Sequence, residues 1–155
     1  MIGLIGAGKV GSSLARFFYE YYVHKSIDSL ALSSVYSKHV TSANETISLL
    51  KKISCNQATA CIPKVANSIA ELVKNSDIIF VTVPDSVIPF VDEELSLLGK
   101  EALKDKLLVH CSGVLSAISA FKKSSVLTDT VSLHPMLDFN SKETSIDSIQ
   151  KAFFT

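Results

Sequence analysis

The first eleven residues restrict the possible folds more than any other stretch. Apolar Ile2-Gly3-Leu4-Ile5 runs into Gly6-Ala7-Gly8-Lys9-Val10-Gly11. Beyond it, Val10, Leu14, Phe17, Phe18 and Tyr21 recur on one face at helical spacing. The pattern predicts a buried strand, a glycine turn and an amphipathic helix. In such a turn Gly6 allows the tight bend, Gly8 lets the backbone approach a pyrophosphate, and Gly11 lets the helix lie close on the strand. Phosphates would then meet the free N–H groups at the positive end of the helix dipole. The plainer alternative is a strand–turn–helix that only packs. The placement of the glycines between an apolar strand and an amphipathic helix favours a dinucleotide site.

The chain has 155 residues, which suits one domain with its own core. Fifteen Lys and Arg balance fifteen Asp and Glu, so no charged field points to nucleic acid or an anionic membrane. A strand starting right after Met1 leaves no room for a targeting peptide, and the apolar run Ile78 to Val83 is too short to span a bilayer. Cys55, Cys61 and Cys111 are odd in number and lack CxxC spacing. That argues for a reducing, cytoplasmic setting, against a disulfide framework and against a metal site.

Further along, strands are expected at Leu30 to Val35, near Val65-Ala66, at Asp77 to Val83, at Lys106 to Cys111 and from Val126 to Leu133. Capping boxes at Ser42 to Glu45 and Ser68 to Glu71 predict helices with Ile47, Leu50, Ile69 and Leu72 turned inward. A helix bearing Ile88, Val91 and Leu95 follows Pro84-Asp85, and one bearing Leu115, Ile118 and Phe121 follows Gly113. The stretch from Ser54 to Pro63 reads as a loop. Strands alternating with helices predict an α/β fold: a doubly wound, mainly parallel sheet of Rossmann type with helices on both faces. Ligands of such sheets bind beyond the carboxyl ends of the strands, which makes the strand ends the candidate site.

At the end of the second strand, an NAD site wants an acid for the ribose 2′-hydroxyl. Here the strand ends in Val35-Tyr36-Ser37-Lys38-His39, and Asp28 precedes it. Ser37 and Lys38 suit a 2′-phosphate, so NADP, with NADPH preferred over NADH, is the expected cofactor. A solvated turn is the competing reading. Val83-Pro84-Asp85 would place its backbone beside the cofactor, with Asp85 as a helix cap. His110, Ser112 and His134 are the candidate catalytic residues, because hydride transfer to a carbonyl or imine needs a proton donor nearby. His110 reads equally well as a core histidine, and the two histidines could face each other. Cys111 lacks a recognisable activating partner and reads as inert. The stripe Phe17, Phe18, Tyr21, Tyr22 reads as core and interface.

Taken in order, Gly6 to Gly11, Tyr36-Ser37-Lys38, Ser76 to Asp85, His110-Cys111-Ser112-Gly113 and Ser132-Leu133-His134-Pro135 resemble one group. It comprises uncharacterised Rossmann-like proteins with a C-terminal helical domain of unknown function. They are related to pyrroline-5-carboxylate reductase, to the 6-phosphogluconate and 3-hydroxyisobutyrate dehydrogenases, and to deazaflavin-dependent NADP oxidoreductases. The resemblance implies cofactor contacts at Gly6, Ala7, Gly8, Lys9, Val10, Gly11, Tyr36, Ser37, Lys38, Val83, Pro84, Asp85 and Gly113. It also implies a small carbonyl, imine or hydroxy-acid substrate and allows a homodimer. Residues 1–155 would then be the dinucleotide-binding domain without the helical domain that follows in relatives. The rival function is a non-catalytic NADP(H) sensor or interaction module, which a missing second domain would favour.

Overall fold

The computed structural model describes residues 1–25, 27–54 and 61–155. Ser26 and residues 55–60, with Cys55 and most of the expected loop after Ser54, lie outside the described residues. The chain opens with β1 (Ile2–Ile5), α1 (Lys9–Lys25), β2 (Leu32–Tyr36) and α2 (Val40–Ser54). It continues through β3 (Lys64–Val65), α3 (Ile69–Lys74), β4 (Ile78–Val81), α4 (Ile88–Leu97) and α5 (Lys100–Leu103). β5 (Leu107–His110), α6 (Ala117–Ala120) and β6 (Asp129–Ser132) complete the sheet; β7 (Pro135–Met136), α7 (Ile146–Gln150) and β8 (Phe153–Phe154) follow.

Six strands form one parallel sheet in the order β3-β2-β1-β4-β5-β6, the doubly wound arrangement that the alternating pattern predicts. The register sets the carboxyl ends in a row. Ile5 pairs with both Tyr36 and Val81, Val81 with His110, and His110 with Ser132. Whatever follows each strand therefore emerges along one edge.

Period-two alternation divides the core. Leu4, Phe80 and Val109 face α1, α2 and α7, whose Leu14, Phe18, Leu50 and Ile149 are buried there. Ile5, Ile79 and Leu108 face α3 to α6, meeting Leu72, Leu95, Leu103 and Phe121. Each such side chain contributes roughly 1.5–3 kcal/mol on leaving water. Phe18 stacks on Phe80 with ring centroids 5.0 Å apart. Of the aromatic stripe, Phe18 is buried and Phe17, Tyr21 and Tyr22 are half-buried, while Tyr19 beside them is fully buried.

Several helix starts differ from those the local signals predict. The Ser42 to Glu45 box lies inside α2, because the helix already starts at Val40 and the Ser42 amide donates to the His39 carbonyl. The second box is half right. Ser68 Oγ accepts from the Glu71 amide at 3.1 Å, but the Glu71 carboxylate accepts from the Asn67 amide at 2.8 Å. Asp85 is not a cap: Pro84 opens a 3-10 turn over Asp85–Val87, closed by the Val87 amide on the Pro84 carbonyl, and Asp85 makes no capping bond. The helix after Gly113 is a single turn that buries Phe121 and leaves Ile118 exposed.

Val126 likewise sits exposed in a 3-10 turn, Ser124–Val126, ahead of the sixth strand. The cause is Asp92 on α4, which is 4% exposed. Its carboxylate accepts from the Lys123 and Ser124 amides, both at 2.9 Å, and holds that turn against α4. The pairing of β8 with β7 has no counterpart in the sequence reading.

Asp92→Ala leaves the buried Ser124 amide and the part-buried Lys123 amide without an acceptor and should cost about 2–4 kcal/mol in urea unfolding. Asp92→Asn keeps one acceptor oxygen and should lose less than half of that.

Candidate active site at the strand ends

The glycine loop is built around one carbonyl. Gly6 has φ +103°, a conformation that side chains disfavour, and its amide donates to the Tyr36 carbonyl at 2.8 Å. Its own carbonyl oxygen lies so close to the start of α1 that a Cβ on Gly11 would stand 2.0 Å from it. The Thr82 hydroxyl, just past β4, donates to that oxygen at 2.8 Å. Helix, loop and strand end meet at this oxygen. Gly8 is the opposite case, since a Cβ there would meet nothing within 4 Å. Beside it stand the first-turn amides of α1, which have no partner within the helix. Open space against free amides is what a pyrophosphate requires, so the loop fits a dinucleotide.

A cavity of about 760 Å³ extends from this loop. Gly6, Ala7 and Gly8 form its floor; Tyr36, Ser37, Lys38, His39 and Ser42 form the β2 side; Val83, Pro84, Val87, Phe90 and Glu94 form the opposite wall. Of the sequence-predicted cofactor residues, Gly6, Ala7, Gly8, Tyr36, Ser37, Lys38, Val83 and Pro84 line it. Gly11 acts from beneath by packing. Lys9, Val10, Asp85 and Gly113 lie off this cavity. Among the residues that line it, the β2 end gives hydroxyl, ammonium and imidazole groups but no carboxylate, and the acid present, Glu94, belongs to α4. Asp28 lies in a 3-10 turn before β2, at the far end of the sheet.

The β5 and β6 ends separate the two histidines. His110 is fully buried, its ring edge-on to Phe121 at 5.6 Å. Its Nδ1 accepts from the Ser112 amide at 3.2 Å, which leaves the proton of the neutral ring on Nε2. Among the described residues that Nε2 has no hydrogen-bond partner. Burial holds the His110 pKa below the usual imidazole value, with Asp85 pulling weakly the other way. The ring is a neutral core histidine.

His134 is half-buried and its Nδ1 lies 3.0 Å from the Cys111 carbonyl. A carbonyl only accepts, so Nδ1 carries a proton. The ring lies on Gly113, where a Cβ would stand 2.8 Å from Nε2. The histidines thus have different neighbours and do not form a pair. Ser112 is buried, and its oxygen accepts from the Val114 and Leu115 amides, shaping the turn. Burial pushes the Cys111 thiol up to about 12, in keeping with an inert role.

Residues 1–113 match the family described as NADP oxidoreductase, coenzyme F420-dependent, a span that runs from the glycine loop to Gly113. The chain belongs to this NADP oxidoreductase family. Pyrroline-5-carboxylate reductase 2 of Macaca fascicularis is 28% identical over 128 residues, which cover 79% of this chain and 33% of that protein. The chain therefore spans about a third of the length of the curated relatives it matches. Among solved structures, the imine reductase BcSIRED of Bacillus cereus BAG3X2 shares the fold with a TM-score of 0.61 at 18% identity, over 88% of this chain and 41% of that one. An imine reductase of Myxococcus stipitatus in complex with NADP+ gives 0.60 at 21%, over 92% and 42%. The expected kinship with pyrroline-5-carboxylate reductase and the NADP oxidoreductases is borne out.

Two features of this oxidoreductase domain escaped sequence reasoning. Thr82, within the apolar run Ile78 to Val83, braces the loop; a lone hydroxyl at the carboxyl end of a central strand is the available signal. Lys142 lines the cavity from a segment more than a hundred residues downstream of the loop, and nothing local announces it. No helix among the described residues is long and apolar enough to cross a membrane.

Gly11→Ala drives a methyl into the Gly6 carbonyl and should lower stability by about 1–3 kcal/mol in denaturant titration. The His110 environment also makes stability depend on pH. Its pKa is lower folded than unfolded, so near pH 6.5 the unfolded chain binds the extra proton and stability rises with pH. Unfolding free energy should fall from pH 7.5 to pH 5.5, and His110→Gln should flatten that decline.

Proposed function

We propose that this domain binds NADP(H), with NADPH preferred over NADH, and serves an oxidoreductase that transfers hydride to or from a small imine, carbonyl or hydroxy-acid carbon. The observation that carries the reading is the cavity itself. One end offers open space at Gly8 against a helix amino terminus, and the other offers Ser37, Lys38 and His39, with no acid among the β2-end residues that line the cavity. A 2′-phosphate would gain charge-assisted bonds there, whereas a bare ribose would lack the carboxylate that usually holds it.

When bound, the dinucleotide would give or accept the hydride; the chain's own residues provide position and proton control. The Val83-Pro84 turn lines the cavity beside the loop, and its apolar wall with Val87 and Phe90 keeps water from one side of the ligand. His134 is the better candidate for moving a proton at the substrate. Its Nδ1 is anchored on the Cys111 carbonyl, so Nε2 can take a proton in the oxidative direction and return it in reduction. His110 supports the site as a packed residue, and Ser112 fixes the turn beneath it.

Calorimetric titration of the chain with NADPH and NADH tests the reading. NADPH should bind more tightly. Lys38→Ala should weaken NADPH about tenfold, near 1.4 kcal/mol, and leave NADH within twofold. Gly8→Val should abolish binding of both while the melting profile stays intact, because no protein atom occupies that space. Equal affinity for both cofactors, or unchanged NADPH affinity in Lys38→Ala, would refute the 2′-phosphate assignment.

A further inference from the structure

Between β7 and α7 the chain does something the glycine loop and strand ends do not require. It leaves the far edge of the sheet and crosses to the amino-terminal ends of α1 and α2. There the Ser141 carbonyl accepts from Ser13 Oγ at 3.2 Å, one turn into α1. The next residue, Lys142, extends over α2 and places its Nζ 2.7 Å from Glu45 Oε2. Its side chain is only 28% exposed, whereas that of Glu45 is 64% exposed. The crossing is pinned on both sides. Thr144 Oγ1 donates back to the Ser141 carbonyl at 3.1 Å, and Ile149 of α7 is buried in the core with α1.

The lysine lies where two hollows meet. It lines the dinucleotide cavity together with Lys38, His39 and Ser42, and it also lines a groove of about 590 Å³ along the outer side of α2. Its carboxylate partner faces water, where such a pair is weakly held and screened. A phosphate dianion arriving at Ser37 and Lys38 would meet a second cation, already ordered and lightly engaged.

We propose that Lys142 is a specificity-determining residue for the 2′-phosphate of NADP(H), delivered by the 137–145 crossing and handed from Glu45 to the phosphate when the nucleotide binds. The inference rests on the NADP(H) reading and adds a residue to it. In this account the crossing completes the phosphate end of the cavity, and Glu45 is a placeholder that orients the ammonium beforehand.

The test is calorimetry of the 155-residue chain with NADPH, NADH, 2′,5′-ADP and 5′-AMP. Lys142→Ala should weaken NADPH and 2′,5′-ADP about tenfold and leave NADH and 5′-AMP within twofold. Glu45→Gln should leave NADPH affinity unchanged or tighten it, since it removes a competitor for the ammonium. Three results would overturn the proposal: no change in Lys142→Ala, an equal loss for phosphorylated and unphosphorylated ligands, or a loss in Glu45→Gln that matches Lys142→Ala. The last would make the ion pair a structural clip. Wild-type chain that binds no NADPH would sink the parent reading and this one together. NADPH binding that depends on Lys38 but not on Lys142 would sink this one alone.

Discussion

The contact between the Gly11 α-carbon and the Gly6 carbonyl is the constraint on which the rest depends. It sets how closely α1 lies on β1, and with it the direction in which the free amides of the helix point. Thr82 fastens the same oxygen to the end of β4, so the loop is held from two sides of the sheet at once. A larger residue at position 11 would lift the helix and misdirect the amides. The empty space at Gly8 exists because its neighbours at 6 and 11 are so tightly placed.

Much of the fold was legible because its signals are local. An apolar run followed by glycines and a 3.6-residue stripe is sufficient for β1 and α1, and the continuous apolar stretch through Phe80 marks a strand covered on both faces. The doubly wound, parallel character of the sheet follows from alternation and handed crossovers. Ser42 to Glu45 carries the chemistry of a cap but lies inside a helix that begins earlier. Val126 has strand propensity, yet the buried carboxylate of Asp92 holds its turn against a helix some thirty residues away. At Val126 a non-local hydrogen bond outweighs propensities of a few tenths of a kcal/mol, whereas α2 starts two residues ahead of its cap-like box, at Val40.

The site divides in the same way. The floor and the β2 side were readable, because the glycine spacing and the residues that end a strand are adjacent in sequence. The two histidines were not separable, because a strand-end imidazole looks alike in sequence whether it points into the core or out of it. Only the partners distinguish them: a ring edge-on to Phe121 for His110, and a carbonyl and a glycine face for His134. Lys142 was invisible, since its place beside Ser42 depends on a crossing of the entire sheet.

That crossing has a consequence for how the molecule assembles. Contacts within the β1–α1–β2 unit join residues close along the chain, whereas Ser13 meets Ser141 across 128 positions and Glu45 meets Lys142 across 97. Closing loops of that length carries an entropic penalty that earlier, shorter closures must offset, so these contacts form late. During synthesis the glycine loop and the β2 end leave the ribosome first and can fold as a shallow, half-walled cleft. The opposite wall from Val83 to Glu94 follows, and Lys142 joins the lining last. The order of translation is then also the order in which the pocket gains its walls.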